Sequence, residues 1–302
     1  MEQASSDAMA AQFALPTSKV LFLFFTGRSG SFLSLKEKEK NGGAKSGRSG
    51  APPNNIYLLH SPHLEESLMT GKAASFGLPY LAAIAGVAGY FFHAALRGGG
   101  SSVPLIAFSI LMCLLFLLAA AALDKQEAYA DVYRKLPSDT ALSLLGAAAV
   151  AAGCVLSLPG GTMFGKALDV LGMVGAAGLA AAAVCRLREK KPQPFFCIPA
   201  VLFYAAKLFY DFRAWTTDPQ IMDYAFSLFA LICFMIATYQ AAAFCYDHGS
   251  RRQMAFFAPA GVLFGAAAMA GAGRGELLIY GGSALWLLAC AVQAGGRRSV
   301  RA

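Results

Sequence analysis

Residues 103–123, VPLIAFSILMCLLFLLAAAAL, decide the fold class of this chain. A bilayer core of roughly 30 Å is crossed by about 20 apolar residues of α-helix, because each residue rises 1.5 Å. The quoted stretch has this length and carries no charged residue. It therefore predicts a transmembrane helix, and the composition of the chain, 57% hydrophobic and 14% charged, agrees with that class.

Similar windows recur along the chain, so we predict an all-α polytopic transmembrane helical bundle of about eight spans. The spans are 76–96, 103–123, 140–158, 167–185, 194–214, 219–246, 254–271 and 276–294. Six or seven spans stay open as an alternative, because the third, fourth and seventh windows are mostly Ala and Gly, which insert weakly. Small residues let helices approach closely in lipid, so we expect these three spans in the interior and the Leu- and Phe-rich second and sixth spans facing lipid.

The loop charges predict the orientation. Cytoplasmic loops of membrane proteins carry an excess of Lys and Arg. Of the 25 Lys and Arg residues, twenty fall on one side of the predicted bundle, and Lys207 falls inside a span. The four on the opposite side are Arg97, Lys166, Arg213 and Arg274. Both termini are therefore predicted to be cytoplasmic, and the formal charge of +8 is explained by the inner membrane surface without a nucleic-acid partner.

The chain divides into four predicted parts. Residues 1–75 contain KEKEK and a run rich in Gly, Ser, Pro and Asn, which is typical of a disordered basic cytoplasmic tail. The alternative is that the natural start is Met69. Residues 76–186 form a first four-helix half, 187–193 a cytoplasmic linker, and 194–302 a second four-helix half with a short basic tail.

Short matches between the halves suggest a tandem repeat. AFS occurs at 107–109 and 225–227, and GAAA at 146–149 and 265–268. Two four-span units in tandem would be parallel and related by an axis along the membrane normal. The alternative is that an Ala- and Gly-rich chain produces such matches by composition.

The segment Lys207–Tyr224, KLFYDFRAWTTDPQIMDY, contains most of the unusual polar residues. Asp218 with Pro219 is typical of a helix N-cap followed by proline at the first helical position. Tyr210, Trp215 and Tyr224 are predicted interface anchors of the kind found in aromatic belts.

Lys207 is the candidate for an intramembrane polar site. It lies about 12 Å of helix below Trp215, and Asp211 is four residues on, on the same face. Charged groups inside a bilayer are costly and often functional, so Lys207 and Asp211, with Asp223 from the next span, are predicted to pair. A structural ion pair near the outer surface is the alternative.

No motif of known catalysis is present, so we do not expect an enzyme, and we expect no cofactor and no metal site. The four histidines include no intramembrane pair, and His93, close to Arg97, is predicted to be interfacial. The leading functional hypothesis is a small-solute permease or carrier, with the lipid bilayer and a small-molecule solute as its partners. The alternative is a non-transporting regulator, sensor or assembly partner that acts through cytoplasmic loops.

The segment WTTDP, followed by DYAFSLFALICFMIATYQAAAFCYDHGSRR, resembles parts of uncharacterised bacterial polytopic inner-membrane proteins. The resemblance covers about one sixth of the chain and carries no site residue. It implies a multi-pass protein of the bacterial inner membrane.

Reporter fusions test the predicted topology. Because the loop charges place alternate loops on opposite sides, fusions after Ser138, Gln193 and Ser250 should report cytoplasm, whereas fusions after Gly100, Thr217 and Gly273 should report the outside. A cytoplasmic signal from the Thr217 fusion would contradict the eight-span topology.

Overall fold

The computed structural model describes residues 62–97, 99, 102–123, 129–133, 137–160, 162–215 and 221–295. All regular structure in these ranges is helical. Short turns lie at Tyr129–Val132, Leu158–Gly160 and Pro194–Phe196. The long helices are α1 (Pro62–Arg97), α2 (Val103–Ala121), α3 (Pro137–Ser157), α4 (Met163–Leu187), α5 (Ile198–Trp215), α6 (Ile221–Cys245), α7 (Arg251–Met269) and α8 (Arg274–Gly295).

The chain is a multi-pass integral membrane protein, since seven of these helices are long and apolar enough to cross a bilayer. The eighth, α7, begins with Arg251, Arg252 and Gln253, which lower its hydropathy. At one end of α7, the Arg252 guanidinium donates to the carbonyl oxygens of Ala121 and Leu123, where α2 ends. Beyond its other end, Gly271 lies against Arg97, where α1 ends. The helix α7 therefore runs from one end of the bundle to the other.

The two ends of the bundle are named here after residues of α8. At the Glu276 end lie Arg97 and the start of α4, together with Ser157, which touches Gly275. At the Gln293 end lie Arg252 and Asp139, whose carboxylate accepts a hydrogen bond from Gln293.

Glycines bring α3 and α8 into close contact. A Cβ added at Gly146 would lie 2.6 Å from the carbonyl oxygen of Gly282, and one at Gly153 would lie 2.7 Å from that of Gly275. These separations are too short for any side chain, so backbone meets backbone at two points about two turns apart. In lipid, where apolar burial does not drive association, such contact supplies van der Waals packing between helices.

The expected positions of the helices relative to lipid are right for α2 and wrong for α6. Of the apolar window of α2, 28% of residues are buried, the lowest share among the seven, whereas 61% are buried in α6, the highest. The reason is local, because Gly261 and Gly265 of α7 leave room for the ring of Phe234. Leu and Phe side chains are as favourable between helices as in lipid. Hydropathy alone therefore does not predict whether a Leu- and Phe-rich helix faces lipid or other helices.

Helix packing does not follow the predicted tandem repeat. Within the part of the chain that the structure describes, α6 packs along α7, whereas their proposed counterparts α2 and α3 do not pack along each other. Likewise α8 packs along α3, but α4 does not pack along α7. The matching tripeptides and tetrapeptides therefore reflect composition, and the glycine positions decide which helices pair.

The helix α1 begins at Pro62, so residues 62–75 are helical. They were predicted to belong to the disordered tail. Residues 1–61 lie outside the described ranges.

The α3–α8 contact can be tested by Gly146→Val. The added side chain would overlap the Gly282 carbonyl, and overpacking of this kind costs about 1–3 kcal/mol. We expect a lower thermal midpoint in detergent, measured by loss of the monodisperse chromatographic peak. Gly77→Val is the matched control, because a Cβ at Gly77 meets no atom within 4 Å. Equal midpoints for the two variants would contradict the contact.

Candidate functional site

Lys207 and Asp211 form a buried ion pair on α5. Their (i, i+4) spacing places them on one face of the helix, and the Lys207 Nζ lies 3.0 Å from one Asp211 carboxylate oxygen and 3.2 Å from the other. The two residues are 6% and 5% exposed, respectively. Both side chains are therefore covered by protein.

A third charge comes from α8. Glu276 Oε1 lies 3.4 Å from the Lys207 Nζ, and its side chain is 44% exposed, so it connects the buried pair to the surface. Asp169 of α4 is 8% exposed and close enough to Lys207 for electrostatic attraction. One ammonium group is thus paired with the carboxylates of Asp211 and Glu276 and attracts a third carboxylate from α4, and we call these four residues the Lys207 cluster.

A second buried polar cluster lies at the Gln293 end. Gln293 Nε2 donates to Asp139 Oδ2 at 2.5 Å, and both residues are at least 96% buried, at 3% and 4% exposure. Asp139 Oδ1 is buried without a hydrogen-bond partner. The Arg186 guanidinium lies 5.4 Å from the centre of the Tyr133 ring, a cation–π distance, and attracts the Asp139 carboxylate. We call this set the Asp139 cluster.

The helix α8 carries polar groups between the two clusters. Tyr280 and Ser283 are 2% and 1% exposed, and the hydroxyl groups of Ser283 and Tyr204 are hydrogen-bonded at 2.8 Å. Spacings of three and four residues keep these groups on one side of a helix. The polar side of α8 consists of Glu276, Tyr280, Ser283, Cys290 and Gln293.

A small cavity adjoins this side at the Glu276 end. Its volume is about 60 Å³, and its lining includes His93, Arg97, Tyr224, Glu276 and Tyr280. His93, which was predicted to lie at the membrane interface, is 2% exposed near the end of α1, and its Nδ1 hydrogen-bonds the Ala267 carbonyl at 2.5 Å. The ring is enclosed by protein because Gly86 and Gly89 let α1 approach α7 closely.

The remaining predicted residues are only partly described. The Tyr210 hydroxyl lies 3.3 Å from Thr162 Oγ1, and its ring stacks on Phe164, so Tyr210 ties α5 to the start of α4. Asp218 and Pro219 lie outside the described residues, as do the side chains of Trp215 and Asp223.

Sequence reasoning missed Glu276, Asp169, Asp139 and Gln293 as site residues. Each lies near the end of a predicted span, where a charge or amide is normally solvated, so none is anomalous alone. One sequence pattern could have identified the polar side of α8. Glu276, Tyr280 and Ser283 recur at helical spacing within an apolar window.

Within the described ranges, no group of three or more His, Cys, Asp or Glu side chains is arranged to hold a metal ion, and the seven cysteines are free. Comparison with protein-family models, with curated proteins and with solved structures found no match for this chain. The site is therefore interpreted from its own geometry.

The Lys207–Asp211 pair can be tested by single and double substitutions. Removing one partner leaves a buried charge, at a cost of about 3–5 kcal/mol, while an apolar replacement of both can be nearly neutral. Lys207→Met and Asp211→Leu should each lower the yield of folded protein in detergent, and the double variant should restore it, in part because Glu276 is half exposed and can be hydrated. If all three variants match the parent, the pair is not desolvated.

Proposed function

We propose that this chain is a small-solute permease or carrier whose pathway follows the polar side of α8. The observation that supports this proposal is the presence of two buried charged clusters joined by hydrogen-bonding groups along one helix. Buried charges in a membrane protein are costly, and they commonly mark substrate or ion pathways. A single ion pair would suffice to fix one helix against another, whereas here charges occur at both ends of α8.

The dimensions agree with a pathway across the membrane. Glu276 and Gln293 are separated by about 25 Å of helix at 1.5 Å per residue, close to the roughly 30 Å of a bilayer core. The polar side of α8 makes hydrogen bonds to α3 and α5, which contribute Asp139, Tyr204 and Lys207. Sites of carriers lie in the interior between helices, as this arrangement does.

The proposed setting is the bacterial inner membrane with both termini in the cytoplasm. This proposal rests on the distribution of Lys and Arg among the loops and on eight traverses of the bundle. In that orientation, the Glu276 end faces outward and the Gln293 end faces the cytoplasm.

The second candidate is a non-transporting membrane protein that acts through its cytoplasmic loops. The observation that favours it is the connection among three loops at the Gln293 end, where Asp247 accepts hydrogen bonds from the Lys191 ammonium and the Tyr129 backbone N–H. The Lys191 hydrogen bond lowers the pKa of Asp247 below its ordinary value. Such a connection would give the loops a fixed surface for a partner.

A flux experiment separates the two candidates. Cells lacking the chain are supplied with the parent, with Lys207→Met/Asp211→Leu, or with Lys191→Met/Asp247→Leu, and uptake of labelled amino acids, amines, sugars and organic acids is compared. The first double variant should lose at least about 90% of any uptake that depends on the parent, because the buried charges of the site are gone.

The second double variant is the matched control. It also removes a Lys–Asp pair, but one whose side chains are 42% and 50% exposed, and such solvated pairs contribute little to stability. Its uptake should equal that of the parent. Uptake that is unchanged in the Lys207 and Asp211 double variant, or that never exceeds the deletion strain for the parent, would refute the carrier proposal.

A further inference from the structure

His93 has one ring nitrogen that the protein leaves without a partner. The Ala267 carbonyl oxygen can only accept a hydrogen bond, so the bond at 2.5 Å requires the proton of the neutral ring to be on Nδ1. Nε2 is then a lone-pair acceptor. It is buried, and no protein group in the described residues donates to it. A buried acceptor without a donor is costly, so a donor from outside the protein is needed at this atom.

The cavity beside His93 can supply that donor. At about 60 Å³ it is large enough for water, and it is lined by polar groups, including the hydroxyls of Ser227 and Tyr280. It is smaller than typical sites for organic ligands, which are about 300–1,000 Å³. Buried water usually makes about three hydrogen bonds to polar groups. The lining offers His93 Nε2 as an acceptor, together with the hydroxyl groups of Ser227 and Tyr280.

Two opposite charges line the cavity. Arg97 of α1 is positive and Glu276 of α8 is negative, while Lys207 and Asp211 of α5 stand behind Glu276 as a further opposite pair. The helix α6 contributes Tyr224, Ser227 and the ring of Phe226, 5.4 Å from His93, and the end of α7 contributes backbone and apolar groups. A neutral polar surrounding favours water over a resident ion.

Two groups in this lining, His93 and Glu276, belong to the side-chain types that act as general acids and bases. Glu276 is half exposed, so its carboxylate is in contact with the aqueous phase at its end of the bundle. His93 is buried, and its Nε2 is reached only through the cavity.

We propose that His93 and Glu276 form a water-bridged proton-exchange site, and that the proton is the coupling ion of this protein. In the inward step, the O–H bond of the protonated Glu276 carboxyl breaks as its proton passes to a cavity water, and that water gives one of its own protons to His93 Nε2. The products are a carboxylate, which pairs with Lys207, and an imidazolium, which keeps its Nδ1–H bond to Ala267. The reverse step returns the proton to Glu276. The coupling role rests on the proposed carrier function, whereas the exchange site does not.

The exchange site can be tested on the full chain labelled with ¹⁵N-histidine and reconstituted in phosphatidylcholine and phosphatidylglycerol vesicles. At pH 8, the His93 resonances should show the Nδ1–H tautomer, with magnetisation transfer from water to the Nε2 site. His248 is exposed and serves as an internal reference with the tautomer mixture of free imidazole. An Nε2–H tautomer at His93, or absence of water contact, would overturn the proposal.

The role of Glu276 is tested in the same vesicles by the rate of proton exchange at His93, measured from the exchange broadening of its ¹⁵N resonances. Glu276→Gln should slow this exchange by about a hundredfold, the lower end of general acid–base effects. His93→Gln, in which the glutamine can still donate to Ala267, removes the His93 resonances and so assigns them. The exchange rate at His248 is the internal control and should equal that of the parent. Exchange at His93 at the parent rate in Glu276→Gln would refute the exchange step.

Solute uptake measured in these vesicles distinguishes the failure of each proposal. Uptake that proceeds without any dependence on a pH gradient would refute proton coupling and leave the carrier function standing. Water contact and proton exchange at His93 with no solute uptake would refute the carrier function and leave the exchange site standing.

Discussion

The architecture depends on the backbone contact between α3 and α8. Because Gly146 and Gly153 meet Gly282 and Gly275 without intervening side chains, α8 is held closely against α3. In this position Tyr280, Ser283 and Gln293 are buried by protein, while Glu276 at the end of the helix stays half exposed. These polar groups would be unfavourable if they faced lipid. The glycine contact thus holds α8 where its polar groups are buried among neighbouring helices.

The same principle operates at α7, with a different result. There Gly261 and Gly265 accept the Phe234 ring from α6, while Gly86 and Gly89 of α1 accept Val262 and Leu263 of α7. These contacts are filled by apolar groups, and they hold His93 against Ala267. Close approach of two helices at glycines therefore occurs twice: once at α8, which carries the polar side, and once at α7, where it encloses the His93 ring. In each case the result depends on the residue that the glycine contacts, and that residue is distant from the glycine in the sequence.

This dependence explains what could be predicted from the sequence. Hydropathy and length were sufficient for the all-helical class and for the approximate limits of the long helices, because these features are local. The Lys207–Asp211 pair was also predictable, since four residues of one helix set its geometry. Glu276, Asp169 and Asp139 were not recognised as partners, because their proximity depends on which helices pack together. The tandem repeat was predicted from short sequence matches, and it does not describe the packing for the same reason. Matches that arise from composition do not determine which helices pack together.

The Lys207 cluster departs from the arrangement that best serves stability alone. An ion pair held only for stability is best served by equal and opposite charges with every acceptor satisfied. Here the Asp211 and Glu276 carboxylates both lie within 3.4 Å of one ammonium group, and Asp211 Oδ2, although 3.0 Å from Nζ, accepts no well-directed hydrogen bond from the described residues. The ammonium group therefore has two partners in place, one buried and one half exposed. In the proposed carrier, an ammonium group that changes partners when one carboxylate gains a proton would move charge between the surface and the interior.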